Sequence, residues 1–138
     1  METMRLQNGI TVFRDRADSW ADGTAITFTI PANTAKSYMD IKFWSMVGGG
    51  SSDSGFYSTS REVLLNGVNM LQSTESDVDS WLLLLNGGYA VHPITVNKTL
   101  VAGVDYNPCI ENVITISIAT VSPSQMTWFN RDLSIICH

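Results

Sequence analysis

The sequence predicts an all-β fold, an antiparallel β-sandwich of the jelly-roll type with at most one short helix. Val, Ile and Thr are abundant whereas Ala and Lys are sparse, and this bias favours the half-buried surface of a sheet. Apolar and polar residues also alternate in short runs bounded by turn signals, which is typical of strands buried on one face. About eight to ten such runs can be counted, as expected for a sandwich or barrel.

Three runs show the clearest alternation, at residues 26–30, 37–47 and 112–121. Their predicted buried faces are Ile26, Phe28 and Ile30; Met39, Ile41, Phe43 and Val47; and Ile114, Ile116 and Ile118. Pro31 ends the first run, and a turn at residues 122–124 follows the last. The opposite face of residues 37–47 is amphipathic and includes Trp44, so this face is predicted to meet a partner.

Turn residues predict how other strands are joined. Asn66-Gly67 suits the positive φ angles of a two-residue hairpin turn, which would join residues 62–65 to 68–71, and Asp22-Gly23 is a similar signal. Residues 74–85 are ambiguous. Their apolar residues suit a short helix with Thr74 as its N-cap, but residues 81–85 also suit a strand that a turn at residues 86–88 would join to residues 89–96. Further strands are predicted at residues 10–14, 100–104 and 133–137.

Size and charge limit the functional classes. With 138 residues, 44% of them hydrophobic, the chain is predicted to form a single domain over residues 1–138, with a short polar N-terminal arm at about residues 1–8. The net charge of −5 should repel nucleic acid. The longest apolar run, residues 81–85, is far shorter than the roughly 20 residues of a membrane span, so no membrane partner is expected. The start does not resemble a secretory signal, which favours a soluble protein made in the cytoplasm.

The reactive side chains form no recognisable catalytic pattern. His92 and His138 are the only imidazoles; His138 ends the sequence, where disorder is common, and His92 precedes Pro93 in or beside a strand. The nucleophile and phosphate-loop motifs are absent. Cys109 and Cys137 are predicted to be reduced, buried thiols, with one disulfide as the alternative. The sequence therefore predicts that the protein is not an enzyme and binds no cofactor.

Metal binding has little support in the residue spacing. The four possible zinc ligands, Cys109, Cys137 and the two histidines, lack the short paired spacing of structural zinc sites. Acidic residues within 75–79 could bind calcium, but they are better explained as the negatively charged first turn of the possible helix. No metal site is predicted.

Four aromatic residues are the candidate partner contacts: Trp44, Phe56, Tyr57 and Trp128. Residues 48–55 form a Gly/Ser-rich loop between Trp44 and Phe56-Tyr57, and such a loop is either mobile or ordered by a partner. Trp128 lies in a polar stretch and could form a sugar-binding platform with Gln125 and Asn130. For both Trp44 and Trp128, burial is the open alternative.

The short alternating strands, acidic charge, Gly/Ser loop and lack of site chemistry together resemble the jelly-roll cement or decoration proteins of tailed-phage capsids. The residues that carry this resemblance, 25–30, 40–44 and 112–118, also suit tumour-necrosis-factor-like trimers and sugar-binding sandwiches. The resemblance implies a virion structural protein, made in the host cytoplasm, that binds a capsid or other virion protein as a homo-oligomer. Residues 1–8 and 48–55 would then make contacts. The alternatives are a carbohydrate- or receptor-binding module and, third, an enzyme that uses a pair of acids.

Overall fold

The computed structural model describes residues 2–5, 9–21, 23–48, 58–72, 91–122 and 127–138. Nine strands lie in these residues. They are β1 (Glu2–Arg5), β2 (Thr11–Trp20), β3 (Ala25–Ile30), β4 (Tyr38–Gly48), β5 (Ser58–Leu65), β6 (Val68–Asn69), β7 (Val91–Val101), β8 (Asn112–Ser122) and β9 (Thr127–Cys137). Within these residues there is no α-helix, and none could therefore span a membrane.

The strands form two antiparallel sheets, which confirms the predicted all-β sandwich. A five-stranded sheet has the order β1-β2-β9-β4-β7, and a four-stranded sheet has the order β3-β8-β5-β6. The ambiguous segment at residues 74–85 and the predicted turn at residues 122–124 lie, wholly or in part, outside the described residues.

The antiparallel strand pairs are nested around the β5–β6 hairpin. β5 pairs with β6 at the centre of this order. The strands that flank this hairpin in the chain then pair in turn: β4 with β7, β3 with β8 and β2 with β9. Successive pairs fall in opposite sheets, and β9 also joins β4 while β8 joins β5. This is the double Greek key of a jelly roll. The segment predicted as an N-terminal arm contributes β1, an added strand beside β2.

The core is formed by the facing sides of the two sheets. The predicted buried faces of β3, β4 and β8 are confirmed for Ile26, Phe28, Ile30, Met39, Ile41, Phe43, Ile114, Ile116 and Ile118. The side chain of Val47 is outside the description. One inward position of β4 is polar, because Ser45 is fully buried between the two sheets.

The turn predictions have different outcomes. Asn66 and Gly67 have φ angles of 50° and 87°, which confirms the two-residue hairpin between β5 and β6. Gly23 also has a positive φ, of 80°, but it lies between β2 and β3, which belong to different sheets. The Asp22-Gly23 signal therefore marks a crossing between sheets rather than a tight hairpin.

Several strands are longer than predicted. Residues 89–96 and 100–104 were expected in separate strands, whereas Val91–Val101 is one strand that ends before residues 103–104. β7 is at the edge of its sheet among the described strands, and an edge tolerates Pro93 because one side of the strand needs no ladder hydrogen bonds. β2 continues to Trp20, and β9 begins at Thr127 rather than near residue 133, which changes the environment of Trp128.

Candidate binding surface

The outer face of the five-stranded sheet carries a compact group of polar and aromatic side chains, here called the Trp44 face. Two adjacent rows across β7, β4, β9 and β2 compose it: Thr95, Trp44, Asp132 and Arg16, and then Asn97, Lys42, Ser134 and Arg14. Residues opposite one another on neighbouring strands lie about 5 Å apart, so each row can contact a single ligand.

Trp44 lies near the centre of this face with 39% of its surface exposed. Its direction follows from strand alternation, since Phe43 and Ser45 on either side are both buried. The predicted outward face of residues 37–47 is thus confirmed, and the open question of whether Trp44 is exposed or buried is answered by its exposure. Because β4 is hydrogen-bonded on both edges, by β7 and by β9, the indole is mounted on a fixed backbone.

Arg14 and Asp132 form a two-pronged ion pair next to Trp44. Arg14 Nε donates to Asp132 Oδ1 at 3.0 Å, and Arg14 Nη2 donates to Asp132 Oδ2 at 2.7 Å. These hydrogen bonds, with the positive charges of Arg14 and Arg16, hold the pKa of the Asp132 carboxyl below its usual value of 3.8, against the opposing effect of partial burial. Both carboxylate oxygens are therefore already engaged.

Two shallow depressions adjoin Trp44. One, of about 450 Å³, includes Lys42 and Asn97, and the other, of about 520 Å³, includes Arg16 and Asn130. Trp44 and Asp132 line both. The aromatic ring thus forms a wall with hydrogen-bonding groups on each side, an arrangement that suits a small polar ligand with one apolar face.

Trp128 is fully buried, so the predicted sugar platform around it is wrong. Its ring contacts that of Trp20 at a centroid distance of 4.8 Å, and it has 0% exposure. The polar residues nearby suggested a loop, but Trp128 belongs to β9 and points into the sandwich. Asn130 is exposed as expected, and Gln125 lies outside the described residues.

A β-bulge in β9 explains why the alternation around Trp128 was hard to detect. Opposite β4, Trp44 pairs with Asp132 and Met46 with Phe129, so Ser45 faces two residues of β9. Asn130 has a φ of 55°, which Asn tolerates better than most residues. The extra residue puts both Phe129 and Asn130 on the outside, and no period-two pattern reveals such a shift.

A partly buried ion pair lies behind the Trp44 face. Arg131 Nη2 donates to Asp15 Oδ1 at 3.1 Å, and the guanidinium carbon is 5.4 Å from the centre of the Trp20 ring. The Arg131 side chain is only 11% exposed, and its Nε has no hydrogen-bond partner among the described residues. This pair links β2 to β9 from the inner side and supports the strands that display the outer face.

One end of the sandwich, here called the loop end, carries residues 31–38, 66–68 and 101–111. Among the described residues, seven large hydrophobic side chains are exposed, and five of them lie at this end: Tyr38, Val68, Val101, Val104 and Ile110. Val104 is 81% exposed and Ile110 is 51% exposed. Such a concentration differs from the isolated apolar residues that most surfaces show.

The loop end is held by many internal hydrogen bonds. Tyr106 donates its hydroxyl to the Ala35 carbonyl at 2.8 Å, and burial raises the pKa of Tyr106 to about 12. Asp105 accepts a bond from the Val101 amide at 2.7 Å. Asn33 donates its amide to the carbonyl of Pro108 at 2.8 Å, which joins the β3–β4 and β7–β8 connections. The exposed apolar residues are therefore displayed on an ordered backbone.

His138 is ordered, contrary to the expectation of disorder at this position. It exchanges backbone hydrogen bonds with Tyr38, and its ring stacks on the Tyr38 ring at 4.2 Å. Its Nε2 lies 3.5 Å from Asp40 Oδ2. His92 lies in β7 opposite Val47, and its side chain is outside the description.

The two cysteines are both free, as predicted, but they differ in exposure. Cys137 is buried, and burial raises its pKa to about 12. Cys109 is exposed, which corrects the expectation that both thiols are buried. Its position in the β7–β8 connection, rather than in a strand, explains this difference.

The remaining sequence candidates lie outside the described residues, namely Phe56, Tyr57 and the acidic residues within 75–79. Within the described ranges, no group of three or more His, Cys, Asp or Glu side chains is placed to hold a metal ion. Of the predicted contact residues, the structure thus places Trp44 on the surface and Trp128 in the core. The spacing of residues 37–47 already places Lys42 on the same face as Trp44. Sequence reasoning missed the other neighbours, Arg14, Asn97 and Asp132, because they come from three strands that are distant in the chain.

No protein-family model matches the chain, and no curated protein matches it. A solved structure described as "Structure of infectious bursal disease virus Gt strain" is similar, with a TM-score of 0.40 and 13% sequence identity. The similarity covers 92% of this chain and 31% of that chain, so this chain spans about a third of the length of the protein it matches.

Proposed function

We propose that this chain is a non-enzymatic structural protein of a virion, a decoration or cement subunit that binds and stabilises a protein shell as a homo-oligomer. Its jelly-roll topology is an architecture that viral capsid domains use, although lectins and other proteins use it as well. A fold alone does not define a function. The proposal therefore depends on the surface that would make the contact.

The observation that carries the proposal is the apolar loop end. Val104 and Ile110 are held in solvent by a connection whose backbone and side chains are hydrogen-bonded to each other and to the β3–β4 connection. Burying apolar side chains is the main favourable term in protein association. Because this backbone is already ordered, docking would cost little conformational entropy. The loop end is thus suited to attachment to an apolar recess of a shell protein.

The test is sedimentation with the particle. The native chain should co-sediment with a megadalton particle from its source at fixed stoichiometry, and the double variant Val104→Asp with Ile110→Asp should lose most of this binding. Thr29→Asp, which puts a negative charge on the exposed face of β3, is the matched control and should bind normally. Analytical ultracentrifugation of the free chain tests the homo-oligomer.

Three outcomes would contradict the proposal. A native chain that never sediments with a particle would remove the structural role. Unchanged sedimentation of the double variant would show that the loop end is not the contact. Loss of sedimentation on Trp44→Ala alone would move the contact to the Trp44 face.

A further inference from the structure

We infer that the Trp44 face is a binding site for an acidic sugar, whose ring stacks on Trp44 and whose carboxylate pairs with Lys42. This inference goes beyond shell attachment and uses a different surface. Trp44 lies six residues from Tyr38 along β4, which is roughly 20 Å at the rise of an extended strand. The two proposals can therefore fail independently.

The stacking surface is the exposed indole of Trp44. A pyranose ring has one face of C–H groups, which packs against an aromatic plane, and an edge of hydroxyl groups that need hydrogen bonds. Trp44 offers a large rigid ring with only two side-chain torsions to fix. The depression of about 450 Å³ beside it falls in the size range of small-ligand sites.

Hydrogen-bonding groups line the same depression. Asn97 and Ser134 belong to the row next to Trp44, and Thr95 lies directly opposite it on β7. The side chains of these three residues make no hydrogen bond to another described residue. An amide and two hydroxyls are thus free to bind sugar hydroxyls, within the part of the chain that the structure describes.

The charges on this face favour an acidic ligand over a neutral one. Lys42 makes no hydrogen bond or ion pair with a described residue. Two carboxylates on the same side of the sheet have other partners: Asp132 is bound by Arg14, and Asp40 accepts from Thr99 at 2.8 Å and faces His138. In a chain of net charge −5, an ammonium that no described residue pairs with, beside an exposed tryptophan, is a local site for a carboxylate.

The experiment follows the tryptophan indole resonances by NMR. In ¹H–¹⁵N spectra of the labelled full chain, Trp44→Phe assigns the Trp44 indole signal. Titration with 3′-sialyllactose and with digalacturonate, using neutral lactose as the comparison, should shift this signal saturably for an acidic sugar only. Because the site is shallow, we expect a dissociation constant of roughly 1 mM.

Two variants test the roles of the ring and the charge. Lys42→Gln should weaken binding of the acidic sugar about tenfold, the usual loss for one charge-assisted hydrogen bond. Lys36→Gln, which removes an exposed lysine from the β3–β4 connection, is the control and should bind as the native chain does. In Trp44→Ala, the backbone amide signals that shift with acidic sugar in the native chain should no longer respond, while the other indole signals keep their native positions.

The inference is overturned if no probe gives a saturable shift up to about 10 mM, ten times the expected dissociation constant. An equal response to lactose would overturn the acidic specificity, and so would unchanged affinity in Lys42→Gln. If the Trp44→Ala variant no longer co-sedimented with the particle, the Trp44 face would be a protein interface and not a sugar site.

Discussion

Trp20 and Ser45 are joined by a hydrogen bond of 3.0 Å from the indole nitrogen to a hydroxyl that is fully buried. The same hydroxyl donates to the Phe129 carbonyl at 2.8 Å. The buried Ser45 hydroxyl on the inner face of β4 therefore both accepts and donates a hydrogen bond, and it holds the β-bulge of β9 in place. The bulge in turn places Asn130 beside the depression next to Trp44.

Ser45→Ala is therefore expected to destabilise the protein. It leaves the Trp20 indole and the Phe129 carbonyl without their buried partner, which costs roughly 1–3 kcal/mol in the free energy of unfolding. Urea unfolding measures the loss. Thr29→Ala, at an exposed position of β3, is the control and should cost less than about 0.5 kcal/mol. If Ser45→Ala lost no more unfolding free energy than the Thr29→Ala control, water would have replaced the hydroxyl as the hydrogen-bond partner.

The sequence predicted the strands whose alternation is unbroken. In β3, β4 and β8, successive side chains point to opposite faces, so local spacing alone identified Phe28, Ile41 and Ile116 as core residues. The Asn66-Gly67 turn was equally local, because its φ angles depend on two residues. These features need no knowledge of which strands become neighbours.

The rest depended on contacts between distant residues. Asp132 and Arg14 are 118 positions apart in the sequence, and no local signal indicates that β2 and β9 are adjacent. The burial of Trp128 depends on the bulge and on Trp20, which comes from another strand. The candidate site was therefore predictable at Trp44 and Lys42, which share one strand, and hidden at Arg14, Asn97 and Asp132, which come from other strands.

The Arg14–Asp132 pair should make stability depend on pH in the acid range. The pKa of Asp132 is lower in the folded protein than its usual value of 3.8, so folding favours the ionised carboxylate. This contribution is present above about pH 3.8 and is lost as the pH falls through the folded-state pKa. In Asp132→Asn, the free energy of unfolding, measured by urea denaturation from pH 6 to pH 2, should decrease less steeply with falling pH than in the native chain.

Asp18→Asn is the matched control for that experiment, since Asp18 is an exposed acid on the same strand as Arg14. It should leave the acid dependence close to that of the native chain. If Asp18→Asn and Asp132→Asn flatten the profile equally, the effect comes from general charge and not from the Arg14 pair.

Gly67 provides a test of the hairpin that closes the jelly roll. Its φ of 87° is unfavourable for any residue with a Cβ, while an added Cβ would meet no atom within 4 Å. Gly67→Ala should therefore cost about 1 kcal/mol from backbone strain alone. Gly67→Asn should cost less, because Asn adopts this conformation more readily. Equal losses in thermal or urea unfolding would show that the turn relaxes to a different geometry.

The two thiols should differ sharply in reactivity. In the native chain, Cys109 is exposed and should react with Ellman's reagent at neutral pH, whereas Cys137 is buried with its pKa raised to about 12. Because the thiolate is the reactive form, Cys137 should react only after unfolding. One thiol should therefore titrate in buffer and a second in guanidinium chloride. Cys109→Ser should abolish the reaction in buffer and keep the reaction in guanidinium chloride. Reaction of both thiols of the native chain in buffer would contradict the burial of Cys137 at the end of β9.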